Sequence, residues 1–212
     1  MTEENTDRDL IDRIRSGDEE ALSRFYAESR ERLGKMVQFR MDPRLAARMD
    51  PEDVLQEAWI AARQRIHHWI EAPERDLFIW LRLITSQTLV DLHRKHLGTR
   101  MRDARREVVP GHGGPAASTV SIAGRLLASV TSPSQAAMKA EISRRLEKAL
   151  DAMDPIDREV LVLRHFEELS NNEVAEVLGM KKTATSNRYV RALGRLRGIL
   201  ESMPGFPGGT ES

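Results

Sequence analysis

The chain has 212 residues, of which 40% are hydrophobic and 5% aromatic, a composition that favours small helical units over β-sandwiches. It contains no cysteine, which excludes disulfides and thiolate metal sites, and it has no apolar run of about 18 residues, the length that a transmembrane helix needs. Its 33 basic and 33 acidic residues cancel, but the two signs are segregated along the sequence.

The N-terminal region is acidic and is predicted to form two helices. Its first residues, MTEENTDRDL, lack the apolar core of a signal peptide. Residues 1–31 carry ten acidic residues against five Arg, and apolar residues recur at helical spacing on either side of Gly17 and Asp18. We therefore expect a soluble, cytoplasmic protein of the all-α class.

The segment MDPEDVLQEAWIAARQRI predicts a helix with a defined start. Asp50 can be its N-cap, Pro51 suits the first helical position, and Asp53 stands where the acid of a capping box lies. Apolar residues at spacings of three and four define a core-facing side. The opposite side presents a stripe suited to contact with a partner, although Asp53 can equally serve only as a cap. This stripe consists of Asp53, Gln56, Glu57 and Ile60.

The next helix, predicted for LFIWLRLITSQTLVDLHRKH, leads into a basic cluster. Residues 75–106 contain eight basic residues and three Asp, a distribution that suits a polyanionic partner. The preceding loop, HHWIEAPERD, contains Trp69, whose ring can either stack on a base or fill the hydrophobic core. Both roles stay open at this point.

The composition changes at residues 107–134, where charge nearly vanishes and Gly, Ser, Pro and Ala dominate. This segment is predicted to be a flexible linker that contains a short sticky stretch around residues 122–127. We therefore expect two helical domains, at 1–106 and 135–202, followed by a disordered tail at 203–212.

Two helical patterns separated by Gly179 close the chain, in SNNEVAEVLGMKKTATSNRYVRALGRLR. Ser170 and Glu173 have the spacing of a capping box, and Gly179 supplies the positive φ that a reversing chain needs. Residues 181–200 hold six basic residues and no acidic one. The arrangement is that of a helix-turn-helix, whose second helix lies in the major groove of DNA.

The second of these helices is predicted to bury Val190 and to expose a basic stripe of Arg188, Arg191 and Arg195, which recur at spacings of three and four. Small polar residues at its start allow close approach to base edges. The candidate DNA contacts are Lys182, Thr183, Thr185, Ser186, Asn187, Arg188 and Arg191.

In chain order, four blocks resemble the extracytoplasmic-function (ECF) group of the sigma-70 family of bacterial RNA polymerase sigma factors. The blocks are SGDEEALSRFYAESRERL, DPEDVLQEAWIAARQRI, FIWLRLITSQTLVDLHRKH and LDAMDPIDREVLVLRHFEELSNNEVAEVLGMKKTATSNRYVRALGRLR. The resemblance covers nearly the whole chain. It implies a helical bundle like sigma region 2 at 1–106 and a helix-turn-helix domain like sigma region 4 at 135–202.

The resemblance implies a transcription initiation factor that has no catalytic activity of its own and needs no cofactor or metal. Its implied partners are promoter DNA, an anti-sigma factor in many family members, and core RNA polymerase, contacted at the clamp helices of the largest subunit and the flap of the second-largest. No membrane is involved. The stripe on the Asp53 helix is implied to bind the clamp helices, and the recognition helix to read the −35 element.

The resemblance also implies which residues read and open the −10 element: Trp69, Arg82, Ser86, Gln87, Arg94 and Lys95, with phosphate contacts from Arg100, Arg102, Arg105 and Arg106. Two positions depart from the family pattern. Gln87 stands where Asn is common, which leaves the −10 base preference open, and Thr185 stands where Val or Ile is usual.

Two other functions compete with this interpretation. A stand-alone transcriptional regulator would explain the helix-turn-helix, but it leaves the Asp53 stripe and the basic cluster before the linker unexplained. A metal-dependent hydrolase would use His93 and His96, which lie three residues apart, but a third ligand and a general base at helical spacing are absent.

Overall fold

The computed structural model describes residues 3–73, 75–97, 119–128 and 136–201. These ranges form helices and contain no strand, which confirms the all-α prediction. The helices are α1 (Glu3–Arg15), α2 (Glu19–Arg40), α3 (Pro43–Ala46), α4 (Pro51–Glu71), α5 (Leu77–Leu97), α6 (Thr119–Ala128), α7 (Ala136–Asp151), α8 (Pro155–His165), α9 (Asn171–Leu178) and α10 (Lys182–Glu201). They fall into two compact units, with α1–α5 in the first and α6–α10 in the second. Across the described ranges, no helix has the length and apolarity to cross a membrane.

The first two helices are separated by the predicted break. Gly17 has a φ of +89°, a conformation that only glycine adopts without steric cost. The Asp18 carboxylate then accepts hydrogen bonds from the backbone N–H groups of Glu20 and Ala21, both at 3.0 Å. These bonds satisfy two of the free amides at the start of α2.

The core of the first unit lies among α2, α4 and α5, which pack against one another. Leu33 of α2, Val54 of α4 and Leu89 of α5 are fully buried. The Tyr26 hydroxyl donates a 2.6 Å hydrogen bond to the Leu55 carbonyl, which joins α2 to α4 inside the unit. Burial raises the pKa of Tyr26 above its ordinary value.

Helix α6 lies inside the range predicted to be a linker. It packs on α7, and its Ile122 and Ala123 are 2% and 0% exposed. The stretch predicted to be sticky is therefore a helix of the second unit, because its apolar residues find a partner surface. The remaining linker residues, the tail at 203–212 and the four arginines Arg100, Arg102, Arg105 and Arg106 lie outside the described residues, and the domain boundaries stay a prediction.

The helix-turn-helix is formed by α9 and α10, with α8 packed against both. Its start has the predicted capping box: the Glu173 N–H donates to Ser170 Oγ at 3.2 Å, and the Ser170 N–H donates to the Glu173 carboxylate at 2.7 Å. Gly179 ends α9 in the left-handed region, at φ +62°. Ala175, small and 4% exposed, stands close to this turn.

The inward face of α10 differs from the prediction. Thr185 and Ala192 are fully buried, whereas Val190 is 66% exposed. Thr185 and Ala192 are seven residues apart and so share one side of the helix, while Val190, five residues after Thr185, is rotated away from that side. The prediction that Val190 faces inward is therefore wrong.

Candidate polymerase and DNA interfaces

The predicted contact stripe on α4 is exposed along its whole length. Asp53, Gln56 and Glu57 are all exposed, and Ile60, a large apolar residue, is 50% exposed. Asp53 also accepts a 2.9 Å hydrogen bond from the Asp50 N–H, so it acts as a cap while remaining at the surface. The stripe therefore combines two acidic residues, an amide and an unpartnered apolar side chain.

The surface beside Ile60 is an open depression at the meeting of α2 and α4. It is lined by Glu19, Ile60, Arg63 and Gln64. Arg63 pairs with Glu19 at 2.8 Å, so the charges at its edge are neutralised within the unit. The rings of Tyr26 on α2 and Trp59 on α4 lie 4.8 Å apart, a contact that joins the two helices.

Three of the predicted −10 contacts are buried instead. Trp69 is 4% exposed and its Nε1–H donates to the Arg75 carbonyl at 2.9 Å; Arg82 and Ser86 are 2% and 0% exposed. Helix α5 is enclosed on most of its sides, so residues that the resemblance places against DNA, Arg82 and Ser86, lie at core-facing positions. For Trp69 the structure supports the core role, and we remove all three residues from the DNA-contact set.

The exposed part of α5 retains the other predicted −10 contacts. Arg94 and Lys95 are exposed, and Gln87 is half-buried. Arg65, which no sequence motif marks as a DNA contact, donates from Nη1 to the Gln87 side-chain oxygen at 3.3 Å. The helical periodicity of α4 predicts that Arg65 is exposed, and this was the sequence feature that could have identified it. Arg94 lies 3.5 Å from Asp91, but both side chains are largely solvated.

The outward face of α10 presents most of the predicted −35 contacts: Lys182, Thr183, Ser186, Asn187 and Arg191 are exposed. Val190 lies among them and was missed, because an apolar residue on an amphipathic helix was assigned to the core. Thr185 is a correction in the other direction, since it is fully buried and its hydroxyl donates to the Lys181 carbonyl at 3.2 Å.

The predicted arginine stripe of α10 is divided. Arg188 was expected to reach guanine or phosphate, but its Nη1 lies 2.6 Å from Asp157 Oδ1 and 3.2 Å from Asp154 Oδ1. Arg195 Nη1 lies 3.5 Å from Asp157 Oδ2. Arg191, the third residue of the stripe, is exposed and has no ion pair among the described residues. In the structure the charge of Arg188 thus joins α8 to α10, and its contact with DNA stays a prediction.

Asp154, which pairs with Arg188 at the start of α8, has a pKa below its ordinary value. Burial opposes ionisation of Asp154, yet hydrogen bonds from the backbone N–H groups of Asp157 and Ile156, with the charge of Arg188, lower its pKa below the ordinary value. Asp154 thus remains charged while it caps α8 and accepts from Arg188.

Comparisons with known proteins agree with this architecture. Residues 143–196 match the family model of sigma-70 region 4. Over 203 residues the chain is 27% identical to the RNA polymerase sigma factor CnrH of Cupriavidus metallidurans, with 95% of this chain and 98% of that protein covered. It is 26% identical to the RNA polymerase sigma-H factor of Pseudomonas aeruginosa, with 91% and 92% covered, and 24% identical to the ECF RNA polymerase sigma factor SigW of Bacillus subtilis, with 91% and 96% covered.

A solved structure has the same fold. The structure of CnrH in complex with the cytosolic domain of CnrY superposes with a TM-score of 0.53 at 24% identity, covering 92% of this chain and 97% of that one. The C-terminal region thus matches sigma-70 region 4, and over nearly its whole length the chain is similar to RNA polymerase sigma factors, among them one of the extracytoplasmic-function group. Both findings agree with the resemblance of the four blocks of the sequence.

Proposed function

We propose that this chain binds core RNA polymerase, directs it to specific promoters by reading −10 and −35 elements, and nucleates DNA melting. The match to sigma-70 region 4 and the similarity to RNA polymerase sigma factors support this role. Polymerase carries out all of the chemistry, this chain none, and the site of action is the cytoplasm. The observation that carries the proposal is the outward face of α10. On this second helix of a helix-turn-helix, polar, basic and apolar side chains are exposed on the side opposite the buried one.

The outward face of α10 suits direct reading of the major groove. Ser186 and Asn187 can exchange hydrogen bonds with base edges, and Arg191 can bind guanine or phosphate. Val190 offers an apolar surface of the kind that contacts a thymine methyl group. A bidentate contact, such as Arg191 can make with guanine, contributes about 1–3 kcal/mol of discrimination against the wrong base.

The α4 stripe suits a protein partner. Ile60 supplies an exposed apolar centre, and the acidic residues Asp53 and Glu57 supply charge at its side. We assign it to the clamp helices of the largest polymerase subunit, and the second unit to the flap of the second-largest. An anti-sigma factor is a further proposed partner, because the relative CnrH has been solved in complex with the cytosolic domain of CnrY.

The −10 element would be read by the exposed side of α5. Gln87, Arg94 and Lys95, joined by Arg65 of α4, form the polar and basic surface available there. Cations on this surface attract phosphate, and the amide of Gln87 can pair with a base edge. Capture of a flipped base by Trp69 is not part of the proposal, since its ring is in the core.

Transcription of genomic DNA tests the function directly. Core polymerase from the source organism, with and without the purified chain, is given fragmented genomic DNA, and the 5′ ends of the transcripts are mapped. We expect a small set of start sites that depends on the chain and shares upstream −35 and −10 motifs. Start sites unchanged by the chain, together with duplex DNA binding in the absence of polymerase, would favour the stand-alone regulator.

A further inference from the structure

Asp157 of α8 is a buried acid beside the recognition helix. It is 4% exposed, and its two carboxylate oxygens face two different arginines of α10: Oδ1 lies 2.6 Å from Arg188 Nη1, and Oδ2 lies 3.5 Å from Arg195 Nη1. Arg188 and Arg195 are seven residues apart, so they lie on the same side of α10, two turns from each other. One carboxylate thus holds two turns of the recognition helix.

The two ion pairs lie on the inward side of α10. They lie on the side that buries Thr185 and Ala192, both fully buried against the rest of the unit. Val190, exposed to 66%, lies away from this side together with Asn187. The face that can meet base edges therefore lies away from Asp157.

The same pairs reduce the charge available to DNA. Residues 181–200 contain six basic residues. Arg188 and Arg195 face Asp157, and Arg197 Nε pairs with Glu201 at 2.6 Å. In the ranges that the structure describes, three cations of this segment have no acidic partner: Lys181, Lys182 and Arg191.

We propose that Asp157 is a positioning and specificity-determining residue that withdraws Arg188 and Arg195 from DNA phosphate. Phosphate contacts provide sequence-independent affinity, whereas base contacts provide discrimination. With two cations withdrawn, binding by α10 depends more on Ser186, Asn187 and Val190 and less on charge. The inference rests on the proposed function, in which α10 binds duplex DNA.

The salt dependence of DNA binding tests this proposal. The affinity of the full-length chain for a fluorescein-labelled duplex of mixed sequence is measured by anisotropy over a KCl series. Each cation on a phosphate changes the slope of log K against log salt by about −0.9. We expect Asp157→Asn to release Arg195, while Arg188 still faces Asp154 at 3.2 Å, and so to steepen the slope by about 0.9.

Asp151→Asn is the matched control, because it removes the same charge from the same unit without freeing an α10 arginine. Asp151 is 65% exposed at its side chain and lies 3.9 Å from Arg158. We expect its slope to equal that of the wild type. Equal slopes for Asp157→Asn and Asp151→Asn would overturn the proposal.

A second pair of variants does not depend on the folding of Asp157→Asn. Arg191 and Arg195 are both exposed, so replacing either with Gln should preserve the fold. We expect Arg191→Gln to make the slope shallower by about 0.9 and Arg195→Gln to leave it unchanged. Equal losses in the two variants would show that Arg195 binds phosphate and would contradict the withdrawal.

The outcomes separate this inference from the function on which it rests. If Arg191→Gln leaves the slope unchanged, or the wild-type chain has no affinity for the duplex either alone or in complex with core polymerase, α10 does not bind DNA and the proposed function fails at this helix. If Arg191→Gln has the expected effect but Asp157→Asn behaves like its control, DNA binding by α10 stands and only the role of Asp157 is overturned.

Discussion

The two helices predicted to read DNA, α5 and α10, differ in how they present polar side chains. On α5, which is apolar on most sides, Arg82 and Ser86 are buried. On α10, which is amphipathic, Ser186 and Asn187 are exposed. A polar residue type alone does not mark a surface. Whether a polar side chain is exposed depends on its position relative to the buried stripe of its own helix. Helix α5 has no single buried stripe, so the exposure of its polar residues cannot be read from their spacing.

The largest effect is expected at Trp69, where a substitution tests whether the α4–α5 junction belongs to the core or to the DNA-binding surface. Trp69→Ala should lower the free energy of unfolding of the first unit by about 3–5 kcal/mol, because it removes a buried ring and leaves a cavity. Tryptophan fluorescence reports this unit alone, since Trp59, Trp69 and Trp80 all lie in it. A loss below about 1 kcal/mol, typical of a surface substitution, would return Trp69 to the DNA-contact set.

Among the three arginines of the α10 stripe, Arg191 is the one whose replacement should weaken DNA binding most. Arg191→Ala should weaken −35-dependent initiation by about 1–3 kcal/mol of binding free energy while core polymerase binding is unchanged. Lys148→Ala, which removes an exposed cation of α7, is the matched control and should have little effect. Equal loss of initiation in both variants would mean that Arg191 acts only through general charge.

Ser86 separates core from DNA surface on α5 itself. Its hydroxyl is fully buried and has no hydrogen-bond partner among the described residues. Ser86→Ala should therefore leave the first unit equally stable or more stable, since a buried unsatisfied hydroxyl costs about 1–3 kcal/mol. DNA melting at −10, followed by permanganate reactivity of thymines, should be unchanged; reduced melting with an intact fold would contradict the burial assignment.

The smallest expected effect concerns His165, which stands beside the recognition helix with its Nε2 3.0 Å from the Tyr189 hydroxyl. Burial, followed by the charge of Arg164, lowers the pKa of His165 below its ordinary 6.5. The neutral form is favoured in the folded chain, so the stability it contributes is present above pH 6.5 and is lost as the pH falls below that value.

Circular dichroism of the second unit checks this at about pH 7.5 and about pH 5.5, on either side of the ordinary histidine pKa. His165→Gln should lose less stability between the two pH values than the wild type does. An identical pH dependence in both proteins would show that other groups are responsible.

Much of the fold follows from local chemistry that the sequence displays. The breaks at Gly17 and Gly179 and the capping box of Ser170 and Glu173 depend on neighbouring residues, and the structure has them where they were predicted. The exposed stripe of α4 was also found, because that helix has a clear apolar side.

Prediction and structure differ where the position of a side chain is set by contacts with residues that are distant in sequence. Arg188 binds Asp157, which lies 31 residues away on another helix, so spacing within α10 could not reveal it. Val190 was assigned inward by residue type, although Thr185 and Ala192 set the phase of the helix. Arg82 and Ser86 were misplaced because the neighbours that enclose α5 come from elsewhere in the chain.

The most direct test of the central claim is binding of the purified, folded chain to core RNA polymerase from its own source. Glu57→Arg combined with Ile60→Arg changes the exposed stripe without removing the Asp53 cap, and Glu31→Arg reverses a charge on α2 as the matched control. We expect tight binding by the wild type and the control and loss of binding in the double variant. A wild-type chain that does not bind polymerase, or a double variant that binds as well as the control, would contradict it.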